Sequence, residues 1–182
     1  MKRILILTGD AGEALEVMYP LQRFQEEGFE VTVAAPKKGV IKTVVHDFEP
    51  GFGTYTEKPG YRVEAEAAFA EVDPTGYDAL YLPGGRAPEW IRNEPGALAL
   101  VRHFFEAGKP VGGICHAALI LAAAGVLKGR TVTAYPALKP DVELAGATFK
   151  DAPVVEDGQL VTARAWPDHP HILRAFLARL RG

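Results

Sequence analysis

One cysteine stands among the 182 residues, and its neighbours supply a setting for covalent chemistry. Cys115 is followed by His116 and preceded by Gly112 and Gly113 in the run KPVGGICHAALILAAAGVLKG. The run reads as a short strand, a sharp turn at Cys115 and an Ala-rich helix ending near Gly125 to Gly129. A nucleophile on a tight strand-to-helix turn projects at the carboxyl edge of a parallel sheet, the usual ligand crevice of open α/β folds. The helix N-terminus adds partial positive charge and free backbone N–H groups, which favour thiolate over thiol and can hold an oxyanion. Alone, a cysteine in an apolar stretch is a small buried hydrophobe. The strand, glycine pair and helix together make Cys115 a candidate nucleophile.

Other residues fall where they can join it. Gly84 and Gly85 end a neighbouring strand, where backbone amides can face the same crevice and receive negative charge, although a tight turn alone explains them equally well. His116 is a candidate acid or base, with His169 and His171 in PDHPHI as competitors from a C-terminal loop. Glu13 follows the first strand on the same edge, placed either to hydrogen-bond the thiol or simply to stabilise a helix start. His46 and Asp47 can also face the crevice but read as structural. The five histidines lack tight ligand spacing with other donors, so no metal site is expected.

Strand-length apolar runs alternate with helix-period segments, the pattern of βαβ units and a mostly parallel sheet. ILILTG is the first strand, a helix spans about Glu13 to Glu27 with Pro20 inside it, and EVTVAAP is the second strand. The stretch after it, through VEAEAAF, is the least periodic and reads as a surface excursion of short strands and turns. YDALYLPGG is a buried strand, PEWIRNEPGALALVRHFFEAG is helical, and RTVTAYPAL supplies a strand. APVVEDGQLVTAR is a hairpin turning at Asp157-Gly158, and HILRAFLARL is a closing amphipathic helix. The length suits one domain over residues 1–182.

Composition narrows the classes. With 48% hydrophobic and 24% charged residues and a formal net charge of -3, the chain is expected to be globular, without a basic surface for nucleic acid. No uninterrupted apolar stretch reaches the roughly 18 residues of a membrane span. The MKRILILTGD start is too short for a secretion signal, and a lone thiol suits a reducing cytoplasm.

Three separated motifs, ICHAALILAAAGVLKGR, YDALYLPGGRAPEWIR and GEALEVMYPLQRFQEEGFEV, resemble the DJ-1/PfpI superfamily, nearest its PfpI-like intracellular peptidase branch. The resemblance implies a flavodoxin-like three-layer sandwich and a nucleophilic Cys115 sharing a proton with Glu13. It also implies that His116 is oriented by an acid from a neighbouring subunit, at the position of Glu89, and that Tyr135 lies near the thiol. A homo-oligomer with a shared site follows, without a cofactor. This chain departs from the family pattern at Gly113, where Ala is common, and at Ala117, where Gly is common.

The activity expected is attack by Cys115 on an electrophilic carbon, with a small dicarbonyl such as methylglyoxal, or its protein adducts, ahead of peptides as substrate. The family carries the labels intracellular peptidase, glyoxalase III and deglycase. One alternative is a redox-sensing or chaperone-like protein whose thiolate oxidises without turnover. Another is a class I glutamine-amidotransferase-like domain. That one requires a downstream His-x-Glu, whereas this chain has His169-Pro170-His171.

Overall fold

The computed structural model describes residues 1–181. In chain order the elements are β1 (Arg3–Leu7), α1 (Ala14–Glu26), β2 (Glu30–Ala35), β3 (Gly39–Asp47), β4 (Thr56–Ala65), β5 (Ala67–Ala68), β6 (Ala79–Leu82), α2 (Ala87–Ile91), α3 (Pro95–Glu106), β7 (Val111–Ile114), α4 (Ala118–Ala123), β8 (Thr131–Val132), α5 (Lys139–Leu144), β9 (Thr148–Phe149), β10 (Val154–Asp157), β11 (Leu160–Ala163) and α6 (His169–Arg181). Seven strands form one sheet in the order β10-β11-β7-β6-β1-β2-β5. Every pairing in it is parallel except the β10–β11 hairpin.

The continuous apolar runs of β1 and β6 are explained by burial on both faces. Successive side chains point to opposite sides, so Leu5, Leu7, Leu80 and Leu82 join α3 and α4 through Leu100, Phe104, Ile120 and Leu121. Ile4, Ile6, Ala79 and Tyr81 instead join α1 and α6 through Phe24, Phe176 and Leu177. The result is the three-layer sandwich that the resemblance implies.

Several local readings shift. The single helical region expected after Gly85 is two helices, because Pro95 begins α3 and lacks the N–H to continue α2. RTVTAYPAL contributes only two paired residues before a turn at Pro136–Leu138. The least periodic stretch is a long antiparallel ribbon, β3 with β4, standing apart from the main sheet.

The chain runs β1, β2, β5 toward one sheet edge, then returns to lay β6 and β7 on the other side of β1. The loops after β1 and β6 therefore diverge, and such a switch point opens a crevice at the strands' carboxyl ends. Cys115 lies there, immediately after β7.

Candidate active site

Cys115 sits at an elbow in the left-handed region, with φ of 62°, and is only 5% exposed. An L-residue there costs on the order of 1–2 kcal/mol, which the packed strand before it and the helix after it sustain. A short 3-10 turn, Cys115–Ala117, leads into α4. The backbone N–H groups of Gly85 and His116 hydrogen-bond the sulfur. Gly84 permits the close approach: a Cβ there would fall 2.5 Å from both the Cys115 Cβ and Glu16 Oε1.

The glycines before the elbow have other reasons. A Cβ on Gly112 would strike the Tyr81 ring at 2.8 Å, so this glycine makes room for a core aromatic rather than for the turn. At Gly113 the nearest atoms would lie at 3.5 Å, ordinary contact that alanine satisfies. Ala117 is helical, with φ of -56°, and needs no glycine freedom. Both departures from the family pattern are thus accommodated.

The acid needs correction. Glu13 is the N-cap of α1: its Oε1 accepts from Glu16 N at 2.9 Å and its Oε2 from His46 N at 3.1 Å. Both oxygens are occupied by backbone donors. The carboxyl at the Cys115 side of Gly84 belongs to Glu16, whose Oε1 accepts from Gly84 N at 3.0 Å and whose Oε2 accepts from Trp166 N at 3.1 Å. Burial, then the neighbouring Glu13, pushes the Glu16 carboxyl well above the usual range, favouring its protonated form. Burial also pushes the Cys115 thiol up, and Glu16 adds to this when ionised, while the Gly85 and His116 N–H groups oppose it. Two acids so close favour holding one proton between them. The Gly84 amide, expected to face a substrate oxygen, is already taken by Glu16, which leaves Gly85 as the donor from that turn.

His116 Nδ1 lies 3.0 Å from Cys115 Sγ. Burial lowers the imidazole to about 4, with His46 adding and Asp141 opposing, so the ring is neutral at pH 7 and can accept a proton. Tyr135 stacks on it, centroids 5.2 Å apart at 18°, and the Tyr135 N–H donates to the Cys115 carbonyl at 3.3 Å.

The ribbon adds residues that sequence reasoning missed. Tyr55 meets His116 edge-on at 5.7 Å and Tyr135 at 5.3 Å, and Phe48 stacks between Tyr135 and Trp166 at 6.5 and 5.7 Å. Only pairing β3 with β4 brings these aromatics over the crevice. No local periodicity marks them. His46 belongs to this wall, its ring 4.3 Å from that of Tyr55. Asp47 is exposed and accepts from Phe48 N.

The remaining candidates make no hydrogen bond to the sulfur. Glu89 is exposed on α2, beside a 72% exposed Trp90, and no hydrogen bond joins it to His116 within the chain. His169 is buried against Tyr19, its Nε2 without a partner, and burial lowers it to about 4; His171 is exposed. Among the described residues no group of three or more His, Cys, Asp or Glu side chains is placed to hold a metal, and no helix is long and apolar enough to cross a membrane.

This arrangement can do specific chemistry. A sulfur facing two N–H groups, with a neutral imidazole at 3.0 Å and a buried carboxyl nearby, can lose its proton locally and attack an electrophile.

Known proteins share the architecture. A deglycase of Thermococcus kodakarensis is 46% identical over 179 residues, covering 98% of this chain and 99% of its own length. Protein DJ-1 homolog D of Arabidopsis thaliana is 45% identical over 186 residues, of which this chain spans 48% of the length. A DJ-1 superfamily protein of Salmonella typhimurium, solved as a cysteine-to-alanine mutant, superposes with a TM-score of 0.82 at 26% identity, covering 100% of this chain and 91% of its own. The family model for DJ-1/PfpI matches residues 2–179, and the chain belongs to that family.

Proposed function

We propose that this chain is a cysteine-dependent, cofactor-independent enzyme acting on small electrophilic carbonyls, of the glyoxalase III or deglycase type. The observation that carries the reading is the Cys115 elbow, where a strained left-handed backbone aims the sulfur at the Gly85 and His116 amides with His116 Nδ1 alongside. The relative named as a deglycase, matched over nearly the full length of both chains, supports the same class of substrate.

With methylglyoxal, the Cys115 sulfur bonds to the aldehyde carbon and the carbonyl electron pair moves to oxygen, which takes up a proton. Through an enediol, the proton on that carbon moves to the adjacent carbonyl carbon and the new hydroxyl's proton moves to that carbonyl's oxygen, which converts the adduct to a thioester of the hydroxy acid. Water then adds, the hydroxy acid leaves, and the thiol is restored. His116 accepts the thiol proton and returns it, the Gly85 N–H stabilises charge on oxygen, and Glu16, kept protonated by burial, withholds the negative charge that would otherwise oppose the thiolate. Tyr55, Tyr135, Phe48 and Trp166 form an aromatic wall that favours a small or slender reacting group over a folded chain.

The reading includes assembly. Glu89 and Trp90 lie exposed on α2, and the Glu89 carboxyl makes no hydrogen bond among the described residues, which supports a homo-oligomer in which Glu89 of one subunit reaches His116 of the next. Steady loss of methylglyoxal, or release of amine from a glycated peptide, measured beside short-peptide cleavage, tests the function. Abolition of turnover in a folded Cys115→Ala protein is expected. Stoichiometric oxidation by peroxide without turnover would favour the redox-sensing alternative.

A further inference from the structure

A ring of contacts closes around the sulfur through residues none of which is the nucleophile. Glu57, on β4, is its junction. Its Oε1 accepts from Arg86 Nε at 2.6 Å and lies 2.7 Å from His46 Nε2, and its Oε2 accepts from Arg86 Nη2 at 3.0 Å. Arg86 directly follows Gly85, whose N–H faces Cys115. On the other side, His46 lies against Tyr55, and Tyr55 against His116, whose Nδ1 returns to the sulfur. One carboxylate therefore joins the turn carrying the amide donor to the ribbon carrying the aromatic wall.

Stability gives little reason for such a junction. The Arg86 and Glu57 side chains are 47% and 33% exposed, and ion pairs at that exposure contribute about 1 kcal/mol or less. Its geometric effect is larger. A bidentate guanidinium–carboxylate fork fixes orientation in two directions, and the third contact fixes the His46 ring against Tyr55. The ribbon is also held near the crevice by His46 N donating to Glu13 Oε2 at 3.1 Å, by Ala11 N and Val44 N donating to the Lys42 and Gly12 carbonyls at 2.8 and 3.0 Å, and by Lys42 N donating to Asp10 Oδ1 at 2.9 Å. The Trp166 Nε1–H donating to the His46 carbonyl at 2.8 Å and Phe48 stacked on Trp166 add to these, all through backbone or Phe48 rather than through the His46 ring.

We propose that Glu57 is a positioning residue, bridging Arg86 and His46 so that Tyr55 confines the His116 ring between itself and Tyr135 while the proton moves. This rests on the reading of Cys115 as the nucleophile. Loss of the bridge frees Tyr55 and lets the imidazole turn away from the sulfur. Displacements of about 1 Å at a reacting pair cost on the order of 100-fold in rate.

The chain has two tryptophans, so replacing exposed Trp90 leaves Trp166 as a single reporter beside the ribbon. In a Trp90→Phe background, Glu57→Gln is expected to raise acrylamide quenching of Trp166 at least twofold. It should lower kcat about 10- to 100-fold, by the same positional argument, with KM within threefold and the urea midpoint nearly unchanged. Arg86→Gln should produce a similar loss, and the double variant should be no worse than either single, since all break one bridge. Unchanged quenching, a kcat within twofold of the parent, losses that multiply in the double variant, or losses that merely follow the urea midpoint overturn the proposal. Cys115→Ala separates the two claims. If it is inactive while Glu57→Gln is fully active, the positioning role alone fails; if it retains turnover, the nucleophile reading fails and the positioning role with it.

Discussion

Replacing Glu16 by Gln tests the reassignment of the buried acid, because the same change at Glu13 must behave differently. Both Glu16 oxygens accept backbone N–H groups, from Gly84 at 3.0 Å and Trp166 at 3.1 Å. A glutamine offers one oxygen, so its amide nitrogen must face a donor. Leaving one buried N–H without an acceptor costs about 1–3 kcal/mol. The sulfur moves the other way: an ionised Glu16 raises the thiol, and a glutamine never ionises, so the midpoint for alkylation should fall. Glu13→Gln loses an equivalent acceptor at the α1 N-cap, so its stability cost is comparable, but Glu13 is the smaller influence on Cys115 and the midpoint should move far less. Iodoacetamide reaction rates across pH and urea unfolding at neutral pH read the two effects separately. A midpoint unmoved by Glu16→Gln and shifted by Glu13→Gln would refute the reassignment.

Gly84→Ala should cost about 1–3 kcal/mol of stability in urea unfolding and most of the turnover, because its Cβ falls 2.5 Å from both Cys115 Cβ and Glu16 Oε1. Buried His169 is lowered from 6.5 to about 4, so between those values the unfolded chain binds a proton the folded chain refuses and stability falls as pH drops. His169→Gln should therefore lessen the acid loss between pH 6.5 and 4.5 by on the order of 2 kcal/mol, whereas Glu16, raised instead, contributes stability that is lost as pH increases. Inactive Cys115→Ala and Glu89→Gln proteins should regain part of the rate when co-assembled, and no recovery in mixed oligomers would count against a shared site.

The elbow was legible because its determinants are contiguous: β7, Cys115 and an Ala-rich helix follow one another in the chain, whereas the glycine pair read with them serves the Tyr81 ring at Gly112 and no close contact at Gly113. The sandwich was legible for a similar reason, since double-sided burial writes itself as unbroken apolar runs in β1 and β6. The acid was not. Glu13 and Glu16 share the first turn of α1, and only the rotation of that helix makes one a cap and sends the other beneath Gly84. Their Glu-x-x-Glu spacing, N-cap to N3, was the available signal that two carboxyls compete for the same helix start. Tyr55, Phe48 and Glu57 were hidden more deeply, because they reach the crevice through the pairing of β3 with β4, and the half-exposed ribbon leaves no clean alternation in sequence.

The central claim is that Cys115 forms a covalent bond to its substrate during turnover. Rapid acid quenching of protein mixed with excess methylglyoxal, followed by intact and peptide mass spectrometry, measures it directly. The account predicts a mass gain of one substrate molecule, confined to the peptide bearing Cys115, that appears before product, decays at the turnover rate and is absent from Cys115→Ala. Turnover with no adduct on Cys115, or an undiminished rate in the folded Cys115→Ala protein, would contradict it.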